Sequence, residues 1–90
     1  MIGITIEHNE IVRWTSARGG KPVVRPAGED AEVPAISFED ETRDMEVAWE
    51  YWLRTFDNGE FALLYEDSAK SGDLSRYWRI VPRYAEVVCG

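Results

Sequence analysis

A pair of glycines flanked by cations is the first feature of the sequence that could do chemistry. Gly19 and Gly20 lie between Arg18 and Lys21. Glycines bind phosphate when they precede a helix, because the free N–H groups at the helix N-terminus then point at the anion. Here the pair follows a helix-like stretch and is itself followed by Pro22. The order of these residues therefore predicts the end of a helix rather than an anion site.

A group of four carboxylates in the middle of the chain is the strongest candidate for binding a partner. The residues are Glu39, Asp40, Glu41 and Asp44. The group lacks the spaced ligands and the central glycine of a calcium loop, so a metal site is not predicted there. Residues 27–67 carry thirteen acidic and two basic residues, whereas the flanking segments are each net positive. This distribution is typical of a solvated acidic face, and the functional interpretation that we adopt is an acidic surface that docks on a basic protein partner. The open alternative is a solvated face that keeps the protein soluble.

Aromatic and basic residues alternate near the C-terminus, as they do in proteins that bind single-stranded nucleic acid. Tyr77, Arg79 and Arg83 are the candidate contacts. Phosphate binding needs a favourable overall field, and the net charge of −7 opposes it. Nucleic-acid binding therefore stays the alternative to a protein partner, together with an acidic mimic that occupies a nucleic-acid-binding protein.

The residues available for catalysis are few. His8 is the only histidine and Cys89 the only cysteine, so any Ser-His or Cys-His pair would have to use His8. A single cysteine forms neither an intrachain disulfide nor a thiolate metal cage, which indicates a reducing compartment and hence the cytoplasm. We predict no catalytic residue, no metal and no cofactor. His8 is expected to form a local hydrogen bond at a helix start.

Ninety residues with 44% hydrophobic side chains are enough for one packed domain. The first residues include no basic start and no long apolar run, so neither a signal peptide nor a membrane span is expected. The apolar spacing predicts a small α+β domain over residues 1–90, with two helices and an antiparallel or mixed sheet of four to six short strands.

The spacing also places each element along the chain. Helices are predicted at 7–18 and 49–57, and strands at 2–6, 22–25, 34–39, 44–48, 60–67 and 75–83. The alternative for 49–57 is a strand that pairs with 61–66 through a turn at Asn58 and Gly59. Gly19 is expected to adopt a positive φ at the end of the first helix. The predicted core consists of Trp14, Trp49, Trp52, Phe56, Leu63 and Leu64.

Three segments resemble successive blocks of a family of short bacterial proteins of unknown function. They are HNEIVRWTSARGGKP, AISFED and EVAWEYWLRTFDNGEFALLYEDSAKSGDLSRYWRIV, which span most of residues 8–81. Thr15 and Ser16 stand where the family has an Ala-Glu pair. The resemblance implies a strand followed by a helix at 44–57. Some members are labelled as glucan branching enzymes, but such an enzyme needs a large barrel with a deep acidic cleft, which ninety residues cannot form.

Overall fold

The computed structural model describes residues 2–40, 43–68 and 72–83, and within them it has two helices and six strands. In chain order the elements are β1 (Ile2–Thr5), α1 (His8–Ala17), β2 (Lys21–Pro26), β3 (Glu32–Ser37), β4 (Met45–Glu46), α2 (Trp49–Asn58), β5 (Phe61–Glu66) and β6 (Trp78–Pro82). The predicted α+β class is confirmed. The strands form two sheets, where the sequence analysis expected one.

Two antiparallel sheets of three strands form the framework, in the orders β1-β5-β6 and β3-β2-β4. In the first sheet Leu63 of the central strand pairs with Thr5 on one side and with Ile80 on the other. Pro82, the last residue of β6, has no N–H to donate to a neighbouring strand, and β6 is an edge strand. The second sheet is built on the β2–β3 hairpin, with the two-residue strand β4 on the other edge of β2.

The segment after β4 is helical, so the alternative hairpin of 49–57 with 61–66 is wrong. Trp49, Trp52 and Phe56 recur at spacings of three and four, which brings them to one face of α2. That face packs against the core. The segment 61–66 instead pairs with β1 and β6 as the central strand of its sheet.

The core combines aromatic and aliphatic side chains and lies where the helices meet the two sheets. Four predicted core residues are buried, namely Trp14, Trp52, Phe56 and Leu63, whereas Trp49 and Leu64 are only partly buried. The Trp52 side chain is fully buried, and its ring stacks on that of Phe56 with the centroids 5.2 Å apart. Its Nε1 donates to the Ala35 carbonyl at 2.8 Å. This hydrogen bond ties α2 to β3.

Helix α1 ends at the glycine pair, as the sequence predicts. Gly19 has a φ of +72°, and its N–H donates to the Ser16 carbonyl at 3.2 Å. The N–H of Gly20 donates to the Thr15 carbonyl at 2.9 Å. These two bonds form the Schellman motif, which satisfies carbonyls that the helix itself leaves unpaired. The pair therefore ends the helix.

We expect Gly19→Ala to lower the free energy of unfolding by about 1–2 kcal/mol, the cost of a left-handed backbone in a residue with a Cβ. A Cβ at Gly19 would have no heavy atom within 4 Å, so the loss would measure backbone strain alone. Urea unfolding followed by circular dichroism measures it. Gly19→Asn is the control and should lose less, since asparagine tolerates this conformation. Equal stability of Gly19→Ala and the wild type would contradict the assigned φ.

Candidate functional site

The acidic loop, residues 38–44, connects β3 to β4 and carries the carboxylates predicted to bind a partner. Glu39 and Asp40 are exposed, and their carboxylates form no ion pair with any residue in the described ranges. Glu41 lies outside the described residues. The loop therefore presents at least two adjacent carboxylates to solvent.

Two cations of β2 contact the acidic loop, one at Asp40 and one at Asp44. Lys21 Nζ donates to the Asp40 carbonyl oxygen at 3.1 Å, and Arg25 Nε donates to Asp44 Oδ2 at 2.9 Å. The Asp44 side chain keeps only 26% of its surface exposed. The Asp44 carboxylate therefore anchors the loop, whereas the carboxylates of Glu39 and Asp40 form no ion pair with a described residue.

A cavity of about 670 Å³ opens beside the acidic loop, and we call it the mixed cavity. Its lining includes the carboxylates of Glu39 and Asp44 and the guanidinium groups of Arg25 and Arg43. Trp78 of β6 also lines it. Charges of both signs are present in equal number, so this cavity has no evident preference for a cation or an anion.

A second cavity of about 390 Å³ adjoins the first, since Arg25 and Trp78 line both. We call it the arginine cavity. Its other charged lining residue is Arg79, and no carboxylate lines it. The Arg25 guanidinium lies 6.0 Å from the Trp78 ring centroid, within the range of a cation–π contact. The two cavities thus differ in charge although they share a wall.

The three residues predicted for nucleic-acid binding are not all accessible to a ligand. Tyr77 is 45% exposed, and Arg79 is also exposed. Arg83 is partly buried instead, because its Nη2 donates to Asp57 Oδ1 at 3.0 Å and its Nε to the Phe61 carbonyl at 2.9 Å. Only Tyr77 and Arg79 are therefore available to a ligand without breaking an existing ion pair.

His8 also bonds to Asp57, and it does so across the fold. Its Nε2 lies 2.7 Å from Asp57 Oδ2, so the side chain joins the start of α1 to the last turn of α2. The expectation of a local hydrogen bond at the helix start is therefore wrong. The partner is 49 residues away, so sequence proximity gave no signal for it.

The Asp57 carboxylate thus lies between an imidazole and a guanidinium. Burial disfavours its charged form, but the hydrogen bonds from Arg83 and His8 outweigh burial and lower the pKa of Asp57. His8 and Arg83 each form an ion pair with Asp57. The group links three elements, α1, α2 and the end of β6, and it has the geometry of a structural clamp.

Arg18, the cation beside the glycine pair, is also used within the fold. It is 7% exposed, and its guanidinium donates to the carbonyls of Trp14, Asp67 and Ser75. Its carbon Cζ lies 4.4 Å from the Trp14 ring centroid. Arg18 therefore fastens the end of α1 to the segment between β5 and β6, and it does not offer its charge to an external anion.

Within the described ranges, no three His, Cys, Asp or Glu side chains are grouped so that they could hold a metal ion.

Arg25 was not among the predicted site residues, because residues 22–25 were predicted only as a strand. The register of the β2–β3 hairpin explains why Arg25 lines the arginine cavity. Arg25 pairs with Val33 across the hairpin, and Val33 lines the arginine cavity too.

Neither helix in the described part of the chain is long and apolar enough to cross a membrane.

No protein-family model matches the sequence, and the searches of curated proteins and of solved structures found no similar chain. The resemblance to short bacterial proteins therefore stays a prediction.

Proposed function

We propose that the protein is a non-catalytic interaction module that binds a protein partner with a basic surface through the acidic loop. The observation that carries the proposal is the exposed pair Glu39 and Asp40, whose carboxylates form no ion pair with a described residue. Exposed carboxylates attract a basic surface over about 8 Å at physiological ionic strength. They steer its approach and so raise the association rate.

The anchoring of the loop supports the same proposal. Lys21 bonds to the Asp40 carbonyl and Arg25 to the Asp44 carboxylate, so both described parts of the loop are tied to β2. A loop that is already held in place loses less conformational entropy when a partner docks on it. The charges of Glu39 and Asp40 are therefore offered on a preformed surface.

An exposed apolar residue lies next to the acidic loop. Met45 follows Asp44 directly, is 56% exposed and belongs to β4, an edge strand of the second sheet. Its neighbour Glu46 is exposed as well. Methionine is flexible and polarisable, which suits it to apolar contact at binding surfaces. A basic partner would thus find an apolar contact beside the carboxylates.

The nucleic-acid alternative has less support. Its residue Arg83 would have to leave Asp57 in order to reach a phosphate. The overall charge of −7 also repels a polyanion. We infer a cytoplasmic location from the single cysteine, which suits a reducing compartment.

The test is a charge reversal of the exposed pair. We expect the immobilised protein to capture a basic protein at about 0.05 M salt and to release it at about 0.5 M, since added salt screens exposed charges. The double variant Glu39→Lys with Asp40→Lys should lose this capture. Thermal unfolding should show that it remains folded, because both side chains are exposed.

The matched control is Glu29→Lys with Asp30→Lys. These two carboxylates are exposed in the connection between β2 and β3, and their reversal changes the net charge by the same amount. The control should keep the capture. Equal loss in both double variants would mean that net charge alone attracts the partner, and capture that survives the loop reversal would exclude the acidic loop.

A further inference from the structure

The arginine cavity is lined by residues of β3 and β6, which are edge strands of the two sheets. Its floor is apolar and is formed by Val33, Pro34, Ala35, Phe61, Trp78 and Ile80. Pro34 and Ala35 are buried, whereas Val33, Phe61, Trp78 and Ile80 keep part of their surface exposed. A volume of about 390 Å³ lies within the range of small-molecule sites. The cavity thus offers a partly exposed apolar surface of ligand size.

Both charged residues that line this cavity are arginines. Arg79 is exposed, and its guanidinium forms no ion pair or hydrogen bond with any residue in the described ranges. Arg25 uses its Nε for Asp44, and its two Nη groups make no hydrogen bond to a described residue. Guanidinium groups form charge-assisted hydrogen bonds with carboxylates that are stronger than neutral ones. Donors for an anion are therefore available on two residues of the rim.

We propose that the arginine cavity binds a small organic anion with a flat aromatic body, of the aromatic carboxylate class. The body lies on the apolar floor, where it contacts Trp78, and the carboxylate bonds to Arg25 and Arg79. An inorganic anion would leave the apolar floor uncovered, and an uncharged apolar molecule would accept no hydrogen bond from Arg79 or from the Nη groups of Arg25. An aromatic carboxylate satisfies both parts of the cavity.

This site is separate from the surface proposed for a protein partner. Glu39 and Asp40 do not line the arginine cavity. The link between the two is Arg25, which bonds to Asp44 at the end of the acidic loop. Failure of one proposal therefore leaves the other standing, because the two sites use different residues to contact their ligands.

The experiment is an NMR titration of the ¹⁵N-labelled protein with 2-naphthoate, and in parallel with the uncharged 2-naphthamide. We expect 2-naphthoate to shift the indole N–H signal of Trp78 in a saturable way. The signal is assigned by its absence from the Trp78→Phe variant. The amide should bind at least about tenfold more weakly, because it forgoes the charge-assisted bonds.

The variant Arg79→Gln should weaken 2-naphthoate binding about tenfold and leave the weak amide binding unchanged. Arg79 is exposed, so we expect this variant to fold normally. Arg54→Gln is the matched control, since Arg54 is an exposed arginine of α2 that does not line the cavity. Equal binding of the carboxylate and the amide, or equal affinity of Arg79→Gln and the wild type, would overturn the proposal, as would the absence of any saturable shift.

Discussion

Trp52→Ala is expected to lower the free energy of unfolding by about 3–5 kcal/mol, a large share of the about 5–15 kcal/mol that such a domain has. Three contributions are lost together. The indole is fully buried, it stacks on Phe56, and its Nε1 satisfies the Ala35 carbonyl. Urea unfolding followed by circular dichroism measures the change. A loss below about 1 kcal/mol would mean that Trp52 is not a core residue.

A second variant separates the ring from its hydrogen bond. Trp52→Phe keeps an aromatic ring beside Phe56 but removes the donor to Ala35, so we expect a smaller loss of about 1–3 kcal/mol. Arg54→Ala lies on the exposed side of the same helix and should change stability by less than about 0.5 kcal/mol. We expect the loss of stability to be largest for Trp52→Ala, smaller for Trp52→Phe and smallest for Arg54→Ala.

Arg18→Ala is expected to cost about 2–4 kcal/mol, because the carbonyls of Trp14, Asp67 and Ser75 lose a charged donor in a largely buried place. The variant should weaken the contact between the end of α1 and the segment that follows β5. Amide hydrogen exchange should then show faster exchange at the C-terminal end of α1. Stability close to that of the wild type would contradict the structural role of Arg18.

Two controls accompany this prediction. Arg18→Lys keeps the positive charge but offers one donor atom in place of a planar fork, so it should recover only part of the loss. Arg13→Ala removes an exposed arginine from the same helix and should be nearly neutral. If lysine restored full stability, charge alone would explain the role of Arg18.

Local patterns were sufficient to predict most of the elements. The spacing of Trp49, Trp52 and Phe56 indicated the helix, and the glycine pair indicated where α1 stops. The division into two sheets was not predictable in this way, because strand order depends on pairings far apart in the chain. The left-handed residue after α2 was also missed. It is Glu60, with a φ of +53°, although Gly59 comes before it.

Contacts between residues far apart in the sequence were even more important for the sites than for the fold. The position of the carboxylates in the acidic loop could be read from the sequence, but the bond from Arg25 to Asp44 required the sheet register. The link of His8 to Asp57 joins residues from opposite parts of the chain. Sequence spacing is informative within one element, whereas these contacts arise only when separate elements come together.

The pairing of β1 also constrains the order in which the chain can fold. Ile2 pairs with Glu66, and within the described residues β1 has no strand neighbour other than β5. The β2–β3 hairpin, by contrast, closes a short loop and needs nothing beyond Ser37. Closing a longer loop costs more entropy, so local hairpins form more readily than distant pairs. As the chain leaves the ribosome, its first strand must therefore wait for β5, while the second sheet can already begin to assemble.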